Sequence, residues 1–171
     1  MDDLIEVVTS ATCHPTHCNL YAYSTSRGIT TMSDLRVSAR GTPCHSNDHT
    51  MHSHLVYEDP ESNVDSDVID LMSSISCLKF TRSTIGGDSY IEGGRFFLTR
   101  DFLTVKVWDT FMEREPVQIL PIHQSLYKQC RKWTDSDMFF ERFNIGISGD
   151  GRNLITGSYQ NTFHVFWNDS F

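Results

Sequence analysis

Short runs of β-branched and aromatic residues recur along the chain, each bounded by Gly, Ser, Asn or Asp. They fall at 5–15, 19–28, 29–36, 73–80, 95–102, 103–111, 116–122, 142–148, 153–160 and 162–170. Apolar residues alternating with polar ones over about four to eight positions predict half-buried strands. The alternation is clearest in TVKVWD. There Val105 and Val107 share one side, in phase with Asp109, and Thr104, Lys106 and Trp108 share the other. No long stretch carries the 3.6-residue apolar period of an amphipathic helix, and only 125–140 is read as holding a short helix. The pattern predicts an all-β fold.

The runs also repeat as sets. Three closing segments line up, MSDLR (32–36), VWDTF (107–111) and VFWND (165–169). The middle one holds the Trp-Asp dipeptide of a WD repeat, a four-stranded propeller blade of about 40–45 residues. Asp34 to Asp109 spans 75 residues and Asp109 to Asn168 spans 59, so each interval is expected to carry an insertion. The acidic, histidine-rich stretch 41–70 and the segment TIGGDSYIEGG (84–94) fit that need. The blade-like units are placed near 5–40, 73–122 and 142–171. Propellers close with about four to eight blades, and three at most fit here. The reading is a WD-repeat propeller fragment, and apolar alternation that starts almost at the first residue agrees with a piece of something larger.

Composition narrows the function. A chain of 171 residues is one domain's worth. Apolar residues make up only 39%, but 12% aromatic content argues against wholesale disorder. Lys and Arg number 14 against 22 Asp and Glu, a formal net charge of -8. Such a chain is poorly suited to non-specific nucleic-acid binding and better suited to basic partners. No stretch approaches the roughly 18 apolar residues of a membrane span. The start, MDDLIEVV, carries acids where a signal peptide carries bases. The five cysteines, Cys13, Cys18, Cys44, Cys77 and Cys130, are odd in number and scattered. They are read as reduced thiols of a cytoplasmic or nuclear protein.

Four groups of residues could carry chemistry. CHPTHC offers Cys13, His14, His17 and Cys18, and 44–54 adds Cys44, His45, His49, His52 and His54. Zinc favours such donors, so a zinc-stabilised small protein is one alternative reading, and a generic WD-repeat protein-interaction scaffold with unrelated partners is another. The plainer account is a turn followed by a histidine-rich loop, with no cofactor. GISGDG (146–151) resembles a nucleophile elbow or phosphate loop only superficially. It lies where Asp-Gly marks a hairpin turn and lacks the Gly-Lys-Ser/Thr ending, and no enzyme is expected. Asp48, Glu58, Asp59, Glu61, Asp65, Asp67 and Asp70 lie in a stretch without Lys or Arg between Arg40 and Lys79. That stretch is either a solvated loop or an acidic wall that speeds encounter with a basic partner. Phe139 and Phe140 sit in a loop where a partner could use them, and Phe143 opens a strand and is assigned to the core.

Several strings, in order and over nearly the whole chain, together resemble the B-type (55 kDa) regulatory subunits of protein phosphatase 2A. EVVTSATCHPTHCN resembles the family's E-V-I-T-x-A-E-F-H-P-x-x-C-N, and HSHLVYEDPE (52–61) its H-S-K-L-F-E-E-P-E. SSISCLKF resembles S-x-S-D-I/V-K-F, and LTRDFLTVKVWD (98–109) is close to R-D-Y-x-x-x-K-x-W-D. FFERF (139–143) resembles F-D-K-F, and TGSYQNTFHVF (156–166) resembles T-G-S-Y-x-N-x-F-R-x-F. The resemblance implies a seven-bladed propeller of which this chain holds about three blades. It implies a regulatory role without catalysis, docking on the phosphatase scaffold next to the catalytic subunit, and phosphoprotein substrates with basic segments presented across an acidic groove. Carried over by position, the substrate-facing residues are Asp2, Asp3, Leu4 and Val7, then Asp137, Phe140 and Arg142, where Arg replaces the usual Lys. The chain also departs from the pattern. ITTMSDLR puts Thr30 and Ser33 at usual apolar positions, and TCHP lacks the family's Glu-Phe. A core aromatic is therefore expected to be missing at Cys13, a loss of the large-to-small kind.

Overall fold

The computed structural model describes residues 6–36, 49–52, 71–81, 93–111, 115–123, 126, 141–149 and 151–167. Among these described residues, eleven strands form three antiparallel sheets. The first sheet holds β1 (Val8–Cys13), β2 (Leu20–Thr25), β3 (Ile29–Asp34) and β4 (His49–His52), in that order. The second holds β5 (Cys77–Phe80), β6 (Phe96–Arg100), β7 (Thr104–Asp109) and β8 (Gln118–Pro121). The third holds β9 (Ile145–Ile147), β10 (Asn153–Gly157) and β11 (Phe163–Trp167). Each is a meander in which consecutive strands pair.

Each of the ten apolar runs contains a strand. β4 is the strand that the apolar pattern does not reveal. HTMH has one apolar residue, and the segment is extended because its backbone pairs with β3 from Ile29↔His52 to Met32↔His49. A short helical turn over 71–73 precedes β5. Of the stretch 125–140, expected to hold a helix, all but Leu126 lies outside the described residues.

The period-2 alternation sorts the faces of the middle sheet. Every residue of β7 is buried. On one face Leu78, Phe80, Phe97 and Trp108 pack with Ala22 and Met32 of the first sheet. On the other, Cys77, Leu98, Val105 and Val107 pack with Ile145 and Leu154 of the third. Phe97 and Trp108 are cross-strand partners with stacked rings 6.2 Å apart, and Trp108 Nε1 donates to Thr99 Oγ1 at 2.9 Å. A buried indole N–H without such an acceptor would carry a desolvation cost.

Polar ties join the sheets as well. Leu78 N donates to Ser10 Oγ at 3.2 Å, and Thr16 Oγ1 donates to the Gly93 carbonyl at 3.2 Å. Gly94 turns the chain at φ +93, and a Cβ there would lie 2.3 Å from the His14 ring. That ring packs on Phe80, 5.0 Å between centroids, so the close approach requires glycine. Cys13 is exposed on the edge strand β1. The large-to-small loss expected there does not hollow a core, because the position is not in one.

Candidate functional site: a cleft where the three sheets meet

The loops at one end of the sheets converge on a cleft with a volume of about 240 Å³. Its walls are Val7, Leu71, Ile75, Phe102 and Phe143, with hydroxyls from Thr9, Ser26, Ser74 and Ser76 and with Glu141 and Arg142 alongside. Local hydrogen bonds fix these walls. Ser26 N donates to the Val7 carbonyl at 2.9 Å, and Val7 N to Ser26 Oγ at 3.2 Å. Ile75 N donates to the Thr25 carbonyl and Phe102 N to the Met72 carbonyl. Ser76 Oγ lies 3.1 Å from the Arg100 carbonyl and 3.0 Å from the Phe143 carbonyl, bridging the second sheet to the start of the third.

Below the floor lies a buried polar network built from the RDFLTVK turn. Asp101 Oδ1 accepts from the backbone N–H groups of Leu103 (2.8 Å) and Thr104 (2.6 Å). Oδ2 accepts from Thr104 Oγ1 (2.7 Å) and Lys106 Nζ (2.6 Å). Four donors thus use up the carboxylate, and it holds the turn together instead of reaching a ligand. The Arg100 guanidinium donates to the carbonyls of Asp101, Phe102 and Thr104 and sits 5.7 Å over the Phe143 ring. Burial pulls Arg100 down to about 10, with nearby Asp101 opposing, and it stays cationic at neutral pH.

His123 completes the network. Nδ1 donates to the Phe102 carbonyl at 2.8 Å, which leaves Nε2 to accept from Ser158 Oγ at 2.8 Å. Burial, then the Arg100 charge, hold this imidazole down to about 4, so it is neutral at physiological pH. Its ring touches those of Phe102, Phe143 and Tyr159. The network therefore stiffens the two aromatic walls of the cleft and ties the second sheet to the third.

Of the residues assigned from sequence to substrate contact, Val7 and Arg142 are exposed and both line this cleft. Asp2, Asp3, Leu4, Asp137 and Phe140 lie outside the described residues, as do Cys44, His45 and His54. Among the described residues no group of three His, Cys, Asp or Glu could hold a metal ion. Cys13 and Cys18 are exposed free thiols. No helix among the described residues is long and apolar enough to cross a membrane. Phe143, assigned to the core, is half-buried just before β9, edge-on to Tyr159 at 5.0 Å, and forms cleft wall. Sequence reasoning missed Leu71, Ile75 and Phe102 as cleft residues. The RDF turn was visible as a motif, but what it faces is set by the packing of three sheets.

No family model matches the chain. Curated proteins do match. A protein phosphatase 2A regulatory subunit of Dictyostelium discoideum is 39% identical over 166 residues, covering 97% of this chain and 31% of that protein. The alpha isoform of the 55 kDa B-type regulatory subunits of Arabidopsis thaliana is 39% identical over 166 residues, with 97% and 29% covered. A protein phosphatase 2A regulatory subunit of Schizosaccharomyces pombe is 36% identical over 172 residues, with 99% and 33% covered. The chain spans about a third of the length of the curated relatives it matches. All three are named as regulatory subunits, and three packed antiparallel sheets are consistent with consecutive propeller blades. The chain is therefore homologous to a part of the 55 kDa B-type regulatory subunits of protein phosphatase 2A.

Proposed function

We propose that the chain acts as a non-catalytic regulatory element of protein phosphatase 2A, engaging the scaffold and catalytic subunits and steering phosphoprotein substrates with basic segments. The observation that carries the reading is similarity to regulatory subunits over 97% of the chain. The net charge of -8 suits a basic partner. In this reading the cleft takes an apolar side chain of the substrate between Phe102 and Phe143, while Val7 and Arg142 touch the residues next to it. Asp2, Asp3 and Leu4 precede Val7 in the chain, Asp137 and Phe140 precede Arg142, and all five are proposed as further contacts.

The test is a pull-down of the purified, folded chain with the phosphatase scaffold–catalytic dimer at low and moderate salt. Saturable binding that weakens with salt is expected, since screening acts on exposed charge. A folded chain that captures no dimer overturns the proposal. If the dimer binds, Val7→Asp and Arg142→Glu are expected to leave that capture intact while reducing dephosphorylation of a basic phosphoprotein. Unchanged dephosphorylation would remove the cleft from the reading.

A further inference from the structure

The two aromatic walls of the cleft are held in different ways. Phe102 is fixed by its own backbone. Its N–H donates to the Met72 carbonyl at 3.2 Å, and its carbonyl accepts from Arg100 and from His123. Phe143 stands in the segment 141–144, which precedes β9 and belongs to no strand. There the Asn144 carbonyl accepts from Thr156 Oγ1 at 3.1 Å, a tie to its own sheet. The Phe143 carbonyl accepts from Ser76 Oγ at 3.0 Å, a tie across to the second sheet.

Ser76 is itself placed by backbone hydrogen bonds. Its N–H donates to the Arg100 carbonyl at 2.7 Å, at the end of β6, and the N–H of Ile75 donates to the Thr25 carbonyl at 3.3 Å, at the end of β2. Two adjacent residues thus tie all three sheets together at the cleft. Of these ties, the one to the third sheet is a side-chain hydroxyl. It also lies 3.1 Å from the Arg100 carbonyl. One hydroxyl carries one proton, so the two carbonyls share it. Such a bond sets a position without being needed for the fold. Ser76 lines the cleft, and water there can serve the Phe143 carbonyl once the hydroxyl is gone.

We infer that Ser76 is a positioning residue for substrate binding. It acts through Phe143 and the neighbouring Arg142, holding the third-sheet rim of the cleft at a fixed distance from Phe102. This role rests on the reading of the cleft as the substrate site. Without the hydroxyl the rim is free to shift, and a substrate must order it on binding. The effect falls on affinity and leaves the chemistry of the catalytic subunit alone.

The test is dephosphorylation by the chain assembled with the phosphatase scaffold–catalytic dimer. The substrate is a synthetic phosphoserine peptide carrying a leucine and flanking arginines. The control is p-nitrophenyl phosphate, which is too small to need the cleft. Ser76→Ala is expected to raise KM for the peptide about fivefold, the factor that matches one lost hydrogen bond, with kcat and the control reaction unchanged. Ser76→Thr, which keeps the hydroxyl, is expected to restore KM. Dimer capture and circular dichroism report assembly and fold. Arg142→Glu separates this role from the reading beneath it. If Arg142→Glu raises KM and Ser76→Ala does not, the positioning role is overturned and the cleft stands as the substrate site. If neither raises it, or if the chain captures no dimer, both fall. A rise in KM that Ser76→Thr does not repair, or a loss shared by p-nitrophenyl phosphate, also overturns the positioning role, because it belongs to packing or to assembly.

Discussion

The second and third sheets are built on the same strand pattern and end in different circumstances. In the second, both faces are covered and all six residues of β7 are buried, a lysine among them. In the third, Leu154 and Thr156 are buried while Ile155 between them is exposed. The difference does not lie in these residues, since the cross-strand pairs Leu98↔Val107 and Ile155↔Val165 are chemically alike. It lies in what stands against them. A blade's core belongs to the gap between two sheets, and a sheet acquires its second core when a neighbour arrives.

The strongest way to break the well-covered sheet is to remove its buried anion. Asp101→Ala deletes the acceptor of four hydrogen bonds and leaves the Lys106 ammonium buried without its carboxylate. A loss of about 3–5 kcal/mol is expected, measured by urea unfolding. Next comes the direct contrast between the sheets. Leu98→Ala opens a cavity between two packed faces and is expected to cost about 2–5 kcal/mol. Ile155→Ala at the equivalent exposed position should stay near 0.5 kcal/mol or less. Equal costs would mean that Ile155 is covered.

The tie between the two sheets is expected to fail with acid. His123 is held at about 4, below the 6.5 of a free imidazole, so the unfolded chain binds the extra proton first. Its contribution is complete above about 6.5 and is lost as pH falls towards 4. Unfolding free energies of wild type and His123→Gln, compared from pH 7 to 4, should converge towards the acid end. Parallel curves would show that His123 titrates normally. Gly94→Ala, at the contact of the first and second sheets, forces a Cβ into the His14 ring at a positive φ. A loss of about 1–3 kcal/mol is expected from the thermal midpoint. The smallest effect belongs to the exposed pair Asp34–Arg36. Arg36→Ala should leave the midpoint where it is, in contrast to the buried pair Lys106–Asp101.

Strands were legible wherever apolar residues alternate, because the alternation is the imprint of a buried face. TVKVWD is the clearest case, and its two sides pack against two different sheets as its period requires. β4 was not legible, because HTMH owes its extension to β3's backbone and not to a face of its own. The cleft was legible only in part. Val7 and Arg142 came from a family resemblance, and nothing in the run of residues near either one indicates the other. Phe102 and Phe143 become walls when His123 and Ser158 clamp the second sheet to the third. Cys13 shows the opposite limit, since a motif position read as core proves to be surface on an edge strand.

Among the described residues every hydrogen-bonded strand pair joins consecutive strands, and this arrangement has a consequence for how the chain folds. Hairpins close in about 1–10 μs, so each meander can find its register before the sheets have met. The contacts that must wait are side-chain ones between sheets, around Phe97 and Trp108 on one side and Leu98 and Val107 on the other. The middle sheet supplies both sets, so it is the natural seed, with the outer sheets condensing on it from opposite sides. Amides of β6 and β7 should then be the last to exchange with solvent, and those of β11, at the open edge, among the first.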